Sequence, residues 1–233
     1  MKIWVYVEGE SDQNALAALW GVWIQRLRPA GHGIKIVALV NKAQFLRKVG
    51  HRAARVLCEN NEDIVIGLPD LYPNKEFETT KYKHQDVVEL KAVQVKEVSE
   101  ALRTVFNVNQ ARTKQLLKRF LPSALKHDVE MLLLAAREQL RSYLGTSDQL
   151  GDWRNPVEEQ NQNQPPKHLV EHLFRTKSVR RRAYRDTKDA SGILRNVTDM
   201  KTILYDATGQ VQCPVFKGIL DWIGQQTGIR AYE

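Results

Sequence analysis

Two carboxylates each follow an apolar run directly. Ile3-Trp4-Val5-Tyr6-Val7 leads into Glu8, and Ile64-Val65-Ile66-Gly67-Leu68-Pro69 leads into Asp70. Runs this apolar read as strands buried on both faces, the habit of parallel sheets. Parallel strands deliver their carboxyl ends to one edge, where open α/β sheets collect ligands. Glu8 and Asp70 are therefore expected at one edge. Two carboxylates held close repel unless a proton or cation lies between them. Hard oxygen ligands of this kind suit Mg²⁺ or Mn²⁺, ions that also bind phosphate oxygens. A plainer reading makes Glu8 part of a helix start and Asp70 a turn residue after proline.

A second group is cationic. Arg175, Lys177, Arg180, Arg181, Arg182, Arg185 and Lys188 crowd a stretch that holds only Glu171 and Asp186 as acids. Tyr184 is interleaved, placed to stack on a base. The whole chain has 35 Lys and Arg against 27 Asp and Glu, a formal net charge of +8. An anionic partner is expected, nucleic acid first, with the run contacting its backbone. The alternative for the run is a solvated face. His168-Leu169-Val170-Glu171-His172 matches H-x-x-E-H, a zinc-peptidase pattern. That chemistry needs a further glutamate downstream, and only Glu233 follows. The two histidines are read as helix-surface residues. Neither a P-loop nor G-x-G-x-x-G occurs, which argues against nucleotide hydrolysis and dinucleotide binding.

The elements that must position these residues follow from periodicity. Gly9 allows a sharp turn after Glu8, Ser11 suits an N-cap and Asp12 suits a first helical turn. Leu16, Leu19, Trp20, Trp23 and Leu27 recur at helical spacing, so a helix is expected over 12–28. Residues 34–40 read as a strand, 42–58 as a helix and 63–68 as a strand. The order β-α-β-α-β implies a parallel sheet with right-handed crossovers. Beyond it come a polar loop (72–85), helices over 86–106 and 110–118, a strand at 119–125 and a helix over 127–140. Polar, Pro-bounded residues 151–166 read as a flexible linker. The expected division is an α/β domain over 1–150, that linker, and a basic helical extension over 167–233 packed on the domain and ending in a helix over 214–226.

Val7-Glu8-Gly9-Glu10-Ser11-Asp12 resembles the V-E-G-x-[ST]-[DE] signature of the TOPRIM fold, shared by topoisomerases, bacterial primases, ribosomal-RNA maturation nucleases and overcoming-lysogenization-defect nucleases. The chain also resembles a TOPRIM-like bacterial family often encoded beside ATPase genes. The matching segments are Glu8 to Asp12, Asp70-Leu71-Tyr72, His127-Asp128-Val129-Glu130 and Cys213-Pro214-Val215-Phe216. The resemblance implies a TOPRIM-like Rossmannoid parallel sheet flanked by helices. It implies a Mg²⁺- or Mn²⁺-dependent nuclease in which Glu8 is a metal ligand or general acid/base and Asp70 the main metal ligand. It further suggests an effector of bacterial anti-phage defence. The departure is Tyr72, which stands where the fold's D-x-D motif has its second aspartate. Glu130 is the first candidate to replace it, ahead of Glu76 and Glu78. His127, three residues before Glu130, would share its helix face and touch phosphate. The competing reading is a catalytically weak nucleic-acid-binding or regulatory subunit of an ATPase-containing complex.

Expected partners are thus DNA or RNA, an ATPase protein and a second copy of the chain. Only Cys58 and Cys213 are present, which suits a reducing cytoplasm better than a disulfide framework. No basic stretch followed by an apolar core opens the chain, so no signal peptide is expected. The apolar run Met131 to Ala136 is too short to span a bilayer.

Overall fold

The computed structural model describes residues 1–160 and 163–233. The chain runs β1 (Lys2–Val7), α1 (Glu10–Leu19), α2 (Gly21–Leu27), β2 (Gly33–Ala38), α3 (Lys42–Glu59), β3 (Ile64–Leu68), α4 (Val87–Thr104), α5 (Gln110–Leu117) and β4 (Phe120–Pro122). It continues through α6 (Glu130–Ala135), α7 (Arg137–Leu144), α8 (Pro166–Thr176), α9 (Asp186–Leu194), α10 (Lys201–Leu204) and α11 (Pro214–Thr227). The fold is α/β, a four-stranded parallel sheet with flanking helices. Two compact units are distinguished: Met1–Gln13 with Leu27–Leu125, and Asn14–Arg26 with Lys126–Glu233.

The first unit holds the sheet, in the order β2-β1-β3-β4. Val7 pairs with Ala38 on one side and with Leu68 on the other. The chain lays β2 to one side of β1 and β3 to the other, so the topology reverses between β1 and β3. That switch point is where open α/β sheets leave a crevice at the carboxyl ends of the strands. Burial on both faces explains the apolar run of β3, all five of whose residues are buried. One face of the sheet packs on α3 and α4, around Tyr6, Phe45, Leu46, Leu57, Leu90 and Leu102. Gly50 on α3 lets the helices approach: an added Cβ would lie 2.6 Å from the Glu97 carbonyl oxygen on α4. Arg119 fastens the far end by donating to the carbonyls of Leu57, Asn60 and Asp63 at 2.6 to 2.7 Å. The bonds to Leu57 and Asn60 satisfy carbonyls that the end of α3 leaves orphaned.

In the second unit Trp20 stacks on Phe216, with ring centroids 6.2 Å apart, and meets Trp23 edge-on at 6.1 Å. Every residue of α6 is buried, as expected of a helix that is apolar on all sides after its first residue, Glu130. Glu158 is fully buried and accepts from the backbone N–H groups of Val215 and Phe216 at 2.8 and 2.9 Å. It thereby satisfies the open N-terminus of α11. Val157 and Glu158 form a buried turn within the segment read as a linker; residues 161 and 162 of that segment lie outside the described residues.

Two predicted helices divide. The helix expected over 12–28 is α1 followed by α2, with Trp20 between them, because Gly21 supports helix poorly while the apolar period runs on through the break. The helix expected over 127–140 is α6 followed by α7, parted at Ala136 (φ −79°, ψ 47°). A stretch as uniformly apolar as Met131–Ala136 carries no period from which a break is read. Among the described residues no helix is long and apolar enough to cross a membrane.

Candidate functional site

Glu8 follows β1 by one residue and Asp70 follows β3 by two. Because β1 and β3 are neighbours in register, the two meet: the Asp70 backbone N–H donates to Glu8 Oε1 at 3.0 Å. Gly9 then turns the chain into α1. Asp12 Oδ2 accepts from the Gly9 N–H at 2.9 Å, which fixes the turn and buries Asp12 beside Glu8.

A cation comes from an element that the sequence reading did not credit. Lys42 opens α3 just after β2, again at the carboxyl edge of the sheet. It is only 4% exposed and donates to the carbonyls of Leu71 and Pro73 at 2.6 and 2.7 Å. Its placement has a local cause. Asn41 is the N-cap of α3 and accepts from the Gln44 N–H at 2.9 Å. Val40 before it holds φ at 87°, a strained state for a β-branched residue. A lysine at the positive end of a helix is electrostatically misplaced unless acids face it, and this was the available signal.

The charges act on one another. Burial pushes the Glu8 carboxyl up to about 8; the Lys42 ammonium and the Asp70 N–H oppose this, while Asp12 and Glu76 add to it. Burial pulls the Lys42 ammonium down to about 8 against the pull of Glu8, Asp70 and Glu76. Among the described residues no three His, Cys, Asp or Glu side chains are grouped to hold a metal ion. A hydrated Mg²⁺ needs less, since one or two carboxylates plus substrate phosphates commonly suffice. Glu8 and Asp70 could offer one carboxylate each to such an ion, which would offset the burial, and the smaller repulsion from Asp12 and Glu76, that raise the proton affinity of Glu8.

The remaining predicted residues belong to the second unit. Glu130 is the first residue of α6 and is buried, with Oε1 accepting the Tyr184 hydroxyl at 2.8 Å. Tyr184 also tilts against Phe174, ring centroids 5.1 Å apart, so its ring and hydroxyl are engaged inside the unit. Burial, with Glu130 second, pushes its phenol far up. His127 lies in a bend before α6, so it and Glu130 do not share a helix face: the helix expected from 127 starts at Glu130. His127 is buried, which lowers its imidazole. Arg182 forks onto the fully buried Asp189 at 2.6 and 2.8 Å, and Arg185 approaches the same carboxylate at 3.9 Å. Lys177 reaches Asp148 at 3.3 Å. Arg175, Arg180, Arg181 and Lys188 are exposed. His168 and His172 are exposed on α8.

The fold and this edge define an α/β protein with Glu8, Asp12, Asp70 and a buried lysine at its topological switch point. Residues 7–223 match the family described as a domain of unknown function, DUF4276, and the chain belongs to that family. No curated protein and no solved structure matches it.

Proposed function

We propose that the Glu8–Asp70 crevice is a divalent-cation site for phosphodiester cleavage and that the substrate is nucleic acid. The observation that carries this reading is the meeting of Glu8 and Asp70 at the switch point, with Lys42 buried beside them. The resemblance of Val7 to Asp12 to the TOPRIM signature supports the same reaction class, and the net charge supports an anionic substrate.

Asp70 and Glu8 would hold the cation, which when bound supplies a Lewis acid to the phosphodiester. The other roles belong to the chain. An ammonium has three protons to donate, and Lys42 gives two to Leu71 and Pro73, which leaves one for a phosphate oxygen. Where Asp70 alone holds the cation, Glu8, whose carboxyl burial pushes up to about 8, is instead suited to take a proton from an attacking water or return one to a leaving oxygen. The Asp70 N–H holds the Glu8 carboxyl in place.

The test is cleavage of labelled single- and double-stranded DNA and RNA by the purified full chain with Mn²⁺. Glu8→Gln and Asp70→Asn are expected to abolish cleavage and keep the melting transition cooperative. Cleavage by both variants at the parent rate overturns the assignment. One observation favours a second reading: Lys42 already supplies a positive charge near the acids, as in a binding subunit with no cation. That reading expects nucleic-acid binding without Mn²⁺ dependence and without cleavage.

A further inference from the structure

The second unit contains a cavity of about 440 Å³ that the acidic crevice does not use. We propose that it binds a nucleotide, a nucleobase together with its phosphate. Its walls are the start of α7, residues 153–155 and the turn around 205–212. The volume lies within the range of about 300–1,000 Å³ usual for small-molecule sites.

The walls are fixed before any ligand arrives. Asp206 Oδ1 accepts from the Thr208 N–H and hydroxyl and from the Gln210 N–H at 2.7 to 2.9 Å, and Gly209 supplies the left-handed residue of the turn at φ 83°. The Asn155 amide donates to the other Asp206 oxygen, tying the two walls together. Arg137 lies 3.8 Å from the Trp153 ring centroid and donates to the Gly151 carbonyl at 2.8 Å, so indole and guanidinium hold each other. A preformed pocket needs little ordering on binding.

The chemistry of the wall selects the ligand. Trp153 and Tyr205 are aromatic surfaces, and every nucleobase has a π-face to lay on one. Gln139 adds an amide, donor and acceptor at once, to match a base edge. Both carboxylates of the wall are already engaged, Asp206 by its turn and Glu138 by Arg141. The guanidiniums of Arg137 and Arg154 meet no carboxylate among the described residues; that of Arg154 has among them one long bond, of 3.4 Å, to the Glu159 carbonyl. Two uncompensated guanidiniums beside an indole ask for a phosphate attached to an aromatic ring. The nucleotide comes either free or as one unit of a strand.

The site is independent of Glu8 and Asp70, and the test separates them. Calorimetric titration of the full chain uses AMP, UMP, a trinucleotide and inorganic phosphate. AMP is expected to bind, and Arg154→Gln, an exposed position, to weaken it by about tenfold, the effect of one lost charge-assisted hydrogen bond. Trp153→Leu is expected to lose AMP while circular dichroism stays that of the parent. Glu8→Gln is expected to bind AMP as the parent does, whatever its cleavage activity. Tighter binding of the trinucleotide assigns the pocket to a strand, and equal binding assigns it to a free nucleotide. Phosphate bound as tightly as AMP, no AMP binding by the parent chain, or AMP binding unaltered in Arg154→Gln overturns the proposal.

Discussion

Glu8 holds its proton more tightly than an ordinary glutamate because burial removes water and Asp12 and Glu76 add negative charge, which Lys42 and the Asp70 N–H only partly offset. The sign of the pH effect follows. The carboxyl titrates near 4.5 in the unfolded chain and near 8 in the folded one, so the folded state holds an extra proton between those values. The stability this group contributes is complete below pH 4.5 and is lost as the pH rises through about 8. A cation needs the carboxylate, so Mn²⁺ affinity is expected to climb as the pH rises toward about 8 and to level off above it. Glu8→Gln is expected to remove the slope. Calorimetric titration with Mn²⁺ across that range checks it, and a pH-independent affinity in the parent chain would contradict the role of Glu8.

At the scale of elements, the carboxyl edge of the sheet depends on how closely α3 and α4 pack. Gly50 is the point of contact, and helix propensity and packing disagree about its replacement. Propensity alone favours Gly50→Ala by about 1 kcal/mol. The new Cβ would meet the backbone oxygen of Glu97 at 2.6 Å, a contact that only separation of the helices relieves. Overpacking of this kind costs about 1–3 kcal/mol, and packing is expected to win. Gly50→Ala should therefore lower the urea midpoint. Because Lys42 opens the same helix, it should also weaken any binding that uses Lys42. A midpoint equal to or above that of the parent would show that the helices part without cost.

For the molecule as a whole, the net charge of +8 is divided between cations held by the fold and cations left to solvent. Arg182 belongs to the first group through its fork onto buried Asp189; Arg175, Arg180 and Arg181 belong to the second. Arg182→Gln is expected to cost about 3 kcal/mol of stability by taking the closest cation from a buried carboxylate, the lower end for such pairs because Arg185, the Tyr143 hydroxyl and the Arg185 N–H remain beside it. Replacing Arg175, Arg180 and Arg181 together by Gln should leave the melting temperature unchanged. It should weaken nucleic-acid binding about evenly across sequences and flatten its salt dependence, since fewer counterions are released. An unchanged salt slope in that triple variant would mark the three as an ordinary solvated face.

The residues after β1 and β3 were legible because strand burial is written locally, as apolar runs ending in a glycine or proline. Parallel order then places the ends of β1 and β3 at one edge without further information. α3, α4 and α5 were legible as the helical runs 42–58, 86–106 and 110–118, while their N-caps, Asn41, Asp86 and Asn109, emerge from the structure. What the local pattern does not carry is the choice of long-range partner. Only the tertiary structure decides that Lys42 lies among the acids. It alone decides that Tyr184 gives its hydroxyl to Glu130, that Arg182 belongs to Asp189 rather than to solvent, and that Glu158 serves the N-terminus of α11. In each case one charge or dipole is stable only because another, far along the chain, arrives beside it. A run of residues can show that such a group is costly to bury, but only packing supplies what offsets the cost.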